Sequence, residues 1–386
     1  MKELQDISIL MVSMDTGLLK AGGAGDVIDR HKKYAQNLKR LDIIVFGKSE
    51  DKYNNLADNC KVYGAGKNLF SFFKAKQLAI NLCKKYKYNL IDTQDPHLTG
   101  LLGLILKKKF DTKLEIHFHG DFWQNKIWLA ESWKNKIYNY LQNKIVSQVD
   151  AIRVVNPRIK EKLVNDGISS AKIKVINTPV NEAEFVKEVD DNKINKIKNK
   201  YNNKKIVFFV GRLVTAKNLL FLLEVVKLLG RKRKDFVLLL AGQGEDKDSL
   251  DNFINNNSLE ESAFVLGPKT HQELINYFKA SYLHILLSTN ESFGKTVIEA
   301  GMSGLASLAS RTLGPSFIIN NSQDGWLVDI NDLKATVDKL NTLLDSPEEV
   351  SLAGQKAKEN FVKHYGQVHS FEKVKGFWKE IVNEQL

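Results

Sequence analysis

The chain has 386 residues but only two cysteines, Cys60 and Cys83. Two thiols cannot make a disulfide framework and provide no cysteine-based metal set. The chain also lacks an apolar run approaching the ~20 residues of a membrane-spanning helix; the longest, near residues 98–106, falls well short. Acidic Glu3 and Asp6 precede an apolar segment at the N-terminus, which does not read as a signal peptide. Cytoplasmic residence is expected. Acid is scarce in one half only: residues 1–180 hold 30 Lys and Arg against 18 Asp and Glu, whereas residues 181–386 hold 27 of each. The formal net charge of +12 therefore lies in the first half, where it would attract phospholipid headgroups, a lipid diphosphate or nucleic acid. Lysine and asparagine enriched on solvated faces would give the same count. There is no recognisable nucleic-acid module, no aromatic platform interleaved with Arg, and no internal repeat.

What is present is alternation. Short apolar segments at 7–13, 41–46, 89–93, 113–119, 151–155 and 172–176 read as strands, separated by helical stretches such as 25–38, 69–85 and 123–145. Segments 205–210, 236–241, 263–266, 283–287 and 305–309 repeat the pattern. Such order predicts α/β architecture with parallel sheets covered on both faces, and the length suits two Rossmann-like domains. We place them at 1–180 and 205–366, joined by an Asn- and Lys-rich linker with a solvated helix at 181–204. At the C-terminus, Phe371, Val374, Phe377, Trp378 and Ile381 recur at helical spacing, which predicts an amphipathic helix over 367–386.

The chemistry is concentrated in the second half. Glu291 and Glu299 lie eight positions apart in Asn290-Glu291-Ser292-Phe293-Gly294-Lys295-Thr296-Val297-Ile298-Glu299, after the apolar segment 283–287. Glu291 is expected in a strand-to-helix loop and Glu299 about two turns into the helix, at the strand-end crevice where open α/β sheets bind ligands. Free N–H groups at such a helix start suit anions and sugar hydroxyls. Gly211-Arg212 followed by Lys217, the turn Ala241-Gly242-Gln243-Gly244 and Leu266-Gly267-Pro268 each follow a predicted strand. An Arg fork and a mobile Lys charge both suit phosphate oxygens.

This ordered set, covering most of residues 205–330, resembles retaining family 4 (group 1) glycosyltransferases. The resemblance implies a GT-B fold, two Rossmann-like domains facing across a cleft, with the final helix crossing back to the first. It implies a nucleotide-diphosphate sugar donor and a glycan or lipid-linked acceptor; the basic first half adds the expectation of cell-surface polysaccharide or lipopolysaccharide synthesis on a lipid carrier, at the inner face of the membrane. Arg212 and Lys217 would hold the diphosphate, Glu299 the ribose hydroxyls and Glu291 a hydroxyl of the transferred sugar. Gly242 and the backbone at Phe293, Gly294, Lys295 and Thr296 would complete the donor site. Lys295 departs from the aliphatic residue usual in the family. Gly22 and Gly23, in the loop 21–27, resemble the family's glycine-rich loop, where the backbone approaches the donor phosphate or the acceptor. His119 matches a histidine near the reacting sugar, while His117 reads as a core group. Domain closure would bring Gly23 and His119 against Glu291 and Arg212.

No cofactor or metal is expected. Asp246 and Asp248 form a D-x-D pair, but after Gly244 they read as helix-entry carboxylates. Ala130, Trp133, Ile137, Leu141 and Ile145 predict a stripe packed on the first sheet, whereas Phe122, Trp123 and Trp128 suit a lipid interface or an acceptor wall. Leu69, Phe72, Phe73, Ile80 and Cys83 read as core flanked by lysines. Other readings are a GT-B enzyme making a soluble glycoside or storage glucan, a nucleotide-sugar epimerase, and a polyanion-binding protein.

Overall fold

The computed structural model describes residues 1–19, 27–47, 53–66 and 70–385. It consists of two compact units, residues 1–179 with 368–386 and residues 180–367.

The first unit begins β1 (Ser8–Ser13), α1 (Val27–Ala35), β2 (Arg40–Phe46), β3 (Tyr53–Ala57), β4 (Cys60–Gly66), α2 (Ser71–Lys85) and β5 (Leu90–Thr93). It continues with α3 (Leu98–Phe110), β6 (Lys113–Phe118), α4 (Lys126–Glu131), α5 (Trp133–Val146), β7 (Ala151–Val154), α6 (Pro157–Asn165) and β8 (Ile173–Val175). Its eight strands run in the order β3-β4-β2-β1-β5-β6-β7-β8. All neighbours pair in parallel except β3 with β4, an antiparallel edge pair absent from the sequence expectation. Strand β1 is buried at every position, as a sheet covered on both faces requires. The chain leaves β1 for β2 on one side and returns to β5 on the other, so a crevice opens at the carboxyl ends of β1 and β5.

The second unit comprises α7 (Glu182–Val186), α8 (Asp191–Lys200), β9 (Lys205–Val210), α9 (Leu219–Gly230), β10 (Phe236–Ala241), α10 (Lys247–Asn256), β11 (Ala263–Gly267) and α11 (His271–Ala280). Then come β12 (Leu283–Leu286), α12 (Lys295–Met302), β13 (Ser307–Ser310), α13 (Leu313–Ile318), β14 (Gly325–Val328), α14 (Leu333–Asp345) and α15 (Pro347–Tyr365). The parallel order β11-β10-β9-β12-β13-β14 reverses between β9 and β12. The loops after these two strands are therefore neighbours. Residues 181–204, read as a linker, form α7 and α8 of this unit.

The last helix, α16 (Gln367–Val382), buries Phe371, Val374, Phe377, Trp378 and Ile381 in the core of the first unit. Tyr34 of α1 meets both Phe371 and Trp378 edge-on, with centroids 5.0 and 5.4 Å apart.

Two sequence expectations invert here. The stretch 123–145 is not one helix: Ser132 adopts extended backbone (φ −159°, ψ 143°) and caps α5 by accepting from the Lys134 N–H. The break rephases the apolar stripe, so Ala130, Trp133 and Ile137 face solvent and α5 buries Gln142, Ile145 and Val146. Trp123 and Trp128, expected at a lipid interface or in an acceptor wall, are buried. Trp123 donates to Asp166 at 2.6 Å, and Trp128 stacks on His97. In α2 the buried residues are Ala75, Ala79 and Leu82, whereas Phe73 is exposed; Leu69 lies outside the described residues.

Candidate active site

In the second unit, three strand-end turns are laced side by side. The Gly211 N–H donates to Ala241 O (3.0 Å), Leu213 N–H to Gln243 O (2.9 Å) and Gly242 N–H to Gly267 O (3.0 Å). Gly242 has φ +149°, and a Cβ there would lie 1.8 Å from the Gly211 carbonyl oxygen. Only glycine permits that approach. The loop after β9 then carries Arg212, exposed and without an ion pair or hydrogen bond among the described residues, and Lys217, partly buried.

Lys217 reaches across the switch point to Glu291, the two forming an ion pair with hydrogen-bonding geometry. The other Glu291 oxygen accepts from the Gly294 N–H at 3.2 Å, and its carbonyl accepts from Gly314 N–H at 2.7 Å. Thr289 N–H donates to Ala216 O at 3.0 Å, tying the β12 loop to the β9 loop. Gly294, at φ +85°, turns the chain into α12, and Phe293 is buried. The first turn of α12 aims its N–H groups at the loop. Glu299 is the fifth residue of α12, just past the first turn, not two turns in. It is buried, and Lys295 lies 3.3 Å from its Oε1. The unusual Lys295 thus has a place, on the carboxylate expected to bind the ribose. Thr296 is half-buried in the same turn. Asp246 and Asp248 sit at the start of α10.

Sequence reasoning missed Gly314. Its Cβ would lie 2.4 Å from the Phe293 backbone, so the start of α13 packs directly on the Glu291 loop. The available signal was the Gly314-Pro315 pair after a buried strand. His284 was missed as well. It is buried on β12, contacts Ser307 Oγ at 2.9 Å, and is lowered to about 3 by burial and then by the Lys217 charge.

In the first unit a cavity of about 270 Å³ opens at the ends of β1, β5 and β6, with Ser13, Arg30, His31, Gln94, His119 and Arg153 on its walls. Beneath it, His117 Nε2 lies 3.0 Å from Glu115 Oε1 and 3.4 Å from Asp92 Oδ1. Burial opposes the cation, but the charges and hydrogen bonds of Asp92 and Glu115 outweigh it and raise His117 to about 9. His119 has an exposed edge in a crowded surround. Loss of water, then the His117 cation and the charges of Arg153, Arg30 and His31, hold it well below its ordinary value.

Gln94 donates to Asp92 at 2.7 Å, which turns its oxygen toward His119 Nε2 at 3.0 Å. The same His119 Nε2 lies 3.4 Å from His117 Nδ1, so it stands between an amide oxygen that would accept from it and an imidazolium N–H that would donate to it. Trp378 completes the set by donating to Glu115 Oε2 at 3.0 Å. Asp92, Glu115 and His117 each place a potential metal-ligand atom within 4.8 Å of the others, although here the two carboxylates hold an imidazolium. Gly22 and Gly23 lie outside the described residues.

Residues 190–360 match the model for glycosyl transferases group 1, and residues 21–184 that for glycosyltransferase family 4. The chain belongs to the group 1 glycosyltransferases. The galactosyltransferase named UDP-Gal:alpha-D-GlcNAc-diphosphoundecaprenol alpha-1,3-galactosyltransferase, from Escherichia coli, is 24% identical over 82% of this chain and 80% of its own length. Sucrose-phosphate synthase from Thermosynechococcus elongatus superposes with a TM-score of 0.83 at 18% identity, covering 98% of this chain and 100% of that one. HepE from Anabaena, solved with UDP, gives 0.76 at 17% identity, covering 97% and 100%. The fold of this glycosyltransferase is thus GT-B, as its motifs implied. Among its described residues no helix is long and apolar enough to cross a membrane.

Proposed function

We propose that this glycosyltransferase moves a hexose from a nucleotide-diphosphate sugar to a hydroxyl of a glycan or lipid-linked acceptor, with retention of configuration and without a metal. The observation that carries the donor half is the Lys217–Glu291 pair, which crosses the switch point of the second sheet beside the exposed Arg212 and the first turn of α12. As the glycosidic bond breaks, charge accumulates on the departing diphosphate. Cations held at that point stabilise the transition state more than the ground state. Arg212 and Lys217 supply them, Glu299 accepts from the ribose hydroxyls, and Glu291, fixed by Lys217 and Gly294, accepts from a sugar hydroxyl.

The acceptor hydroxyl attacks from the face the diphosphate leaves, and a leaving-group oxygen takes its proton. Neither glutamate is the nucleophile. The cavity beside His119 receives the acceptor, and Gly22 and Gly23 meet the donor phosphate. Support for a lipid-linked acceptor in cell-surface polysaccharide synthesis comes from the diphosphoundecaprenol-directed relative and from the basic first half. The enzyme would then work at the inner face of the cell membrane.

A thermal-shift panel of UDP-, GDP- and ADP-linked sugars in chelator tests this. Ligand at 100-fold its Kd adds about 2.7 kcal/mol of stability. One nucleotide family should raise Tm in the unaltered protein but not in Glu299→Ala or Arg212→Ala. A well-folded protein indifferent to all three would overturn the donor assignment.

A further inference from the structure

On the outer face of α5, Trp133, Ile137 and Tyr140 follow one another at helical spacing and are 68%, 49% and 63% exposed. Ile127 of the adjoining α4 is 56% exposed. Burying such groups in water-free surroundings is favourable, and isolated exposed apolar residues are ordinary, but a run along one helix face marks a contact surface. The charge beside it has one dominant sign. Lys126, Lys134, Lys136 and Lys144 are all exposed, and Glu131 is the one acidic residue between positions 122 and 149. Lys144 lies 5.8 Å from the Tyr140 ring, cation beside aromatic. Two further exposed aromatics, Phe70 and Phe73 at the start of α2, belong to the same layer, since α2 packs on α3 and α3 on α5.

We infer that the α4–α5 face docks on an anionic phospholipid bilayer. Trp and Tyr suit the headgroup region, Ile the acyl boundary, and lysines the negative surface potential of acidic lipids. A protein partner of like chemistry would need an acidic rim around an apolar centre, whereas a bilayer offers both over any area. Ser132, extended and capping α5, is the residue before Trp133, where the helix starts. The inference rests on the lipid-linked reading of the acceptor for its purpose, but its test involves neither donor nor transfer.

The test is co-sedimentation of the full chain with vesicles of phosphatidylcholine and phosphatidylglycerol in equal parts, or of phosphatidylcholine alone. The unaltered protein should pellet with the mixed vesicles and be released by salt. Combined Trp133→Ser, Ile137→Ser and Tyr140→Ser should weaken this by about tenfold or more. Lys134→Glu with Lys136→Glu, altering only exposed groups, should abolish the preference for anionic lipid. Failure of the unaltered protein to bind, or equal binding by both variants, would overturn the inference. So would a dimer that the triple variant converts to monomer without any vesicle binding, which would make the face a contact between copies of this chain.

Discussion

At the scale of single residues, the Lys217–Glu291 pair makes a sharp demand. Each member holds the other, so Lys217→Ala removes the cation proposed to meet the phosphate and leaves the Glu291 carboxylate held by the Gly294 N–H alone. Loss of one electrostatic stabiliser costs on the order of 10²–10³ in rate. We expect kcat to fall by that order in Lys217→Ala, and a smaller fall in Glu291→Gln, which keeps the amide oxygen as an acceptor. Steady-state kinetics would check this, and equal kcat values for both variants and the parent would remove the pair from the mechanism. Arg212→Lys separates charge from geometry, because it keeps the cation and loses the fork. KM for the donor should rise in that variant. These residues were legible in the sequence because Arg, Lys and Glu sit at fixed offsets from strand ends. Their pairing was not, because which two loops touch depends on strand order, and no local pattern shows that β9 lies beside β12.

At the scale of elements, the three turns after β9, β10 and β11 are laced by backbone hydrogen bonds under the proposed donor site. Gly242→Ala places a methyl within 1.8 Å of the Gly211 oxygen in a backbone region that L side chains seldom enter. The turn must open. We expect a loss of about 1–3 kcal/mol in stability, read as a lower midpoint in urea, together with weaker nucleotide binding. Unchanged stability and binding would show that the turn has slack. Most strands were visible as apolar runs, but β3, β4 and β14 were not. Strand β3 contains two consecutive asparagines, β4 ends in Gly-Ala-Gly, and β14 opens on a glycine directly after the polar stretch 320–324, so each is too polar or too glycine-rich to stand out locally. The split between α4 and α5 was hidden for a related reason. A single serine interrupts a run whose helical spacing on either side is good, and only the phase of burial exposes it.

At the scale of the whole molecule, the C-terminal helix closes the chain onto the first unit through a charge network as well as an apolar face. Trp378 donates to Glu115, which with Asp92 flanks the His117 cation, and His117 adjoins His119 on the cavity wall. Because folding raises His117 from 6.5 to about 9, the folded state binds a proton that the unfolded state releases near pH 6.5. Its contribution to stability is complete below about pH 6.5 and fades as pH rises through 9. The size is on the order of a few kcal/mol. Glu115→Gln keeps an acceptor for Trp378 but removes one of the two carboxylates, so the His117 pKa should fall and stability should decline at lower pH. Urea midpoints between pH 6 and 10 compare two proteins that share every titrating group except the carboxyl at position 115 itself. The offset between the two curves should be constant below about pH 6.5 and narrow as pH rises toward 9, where the parent loses the extra stability of its higher His117 pKa. Curves parallel throughout would mean that His117 is neutral in the fold.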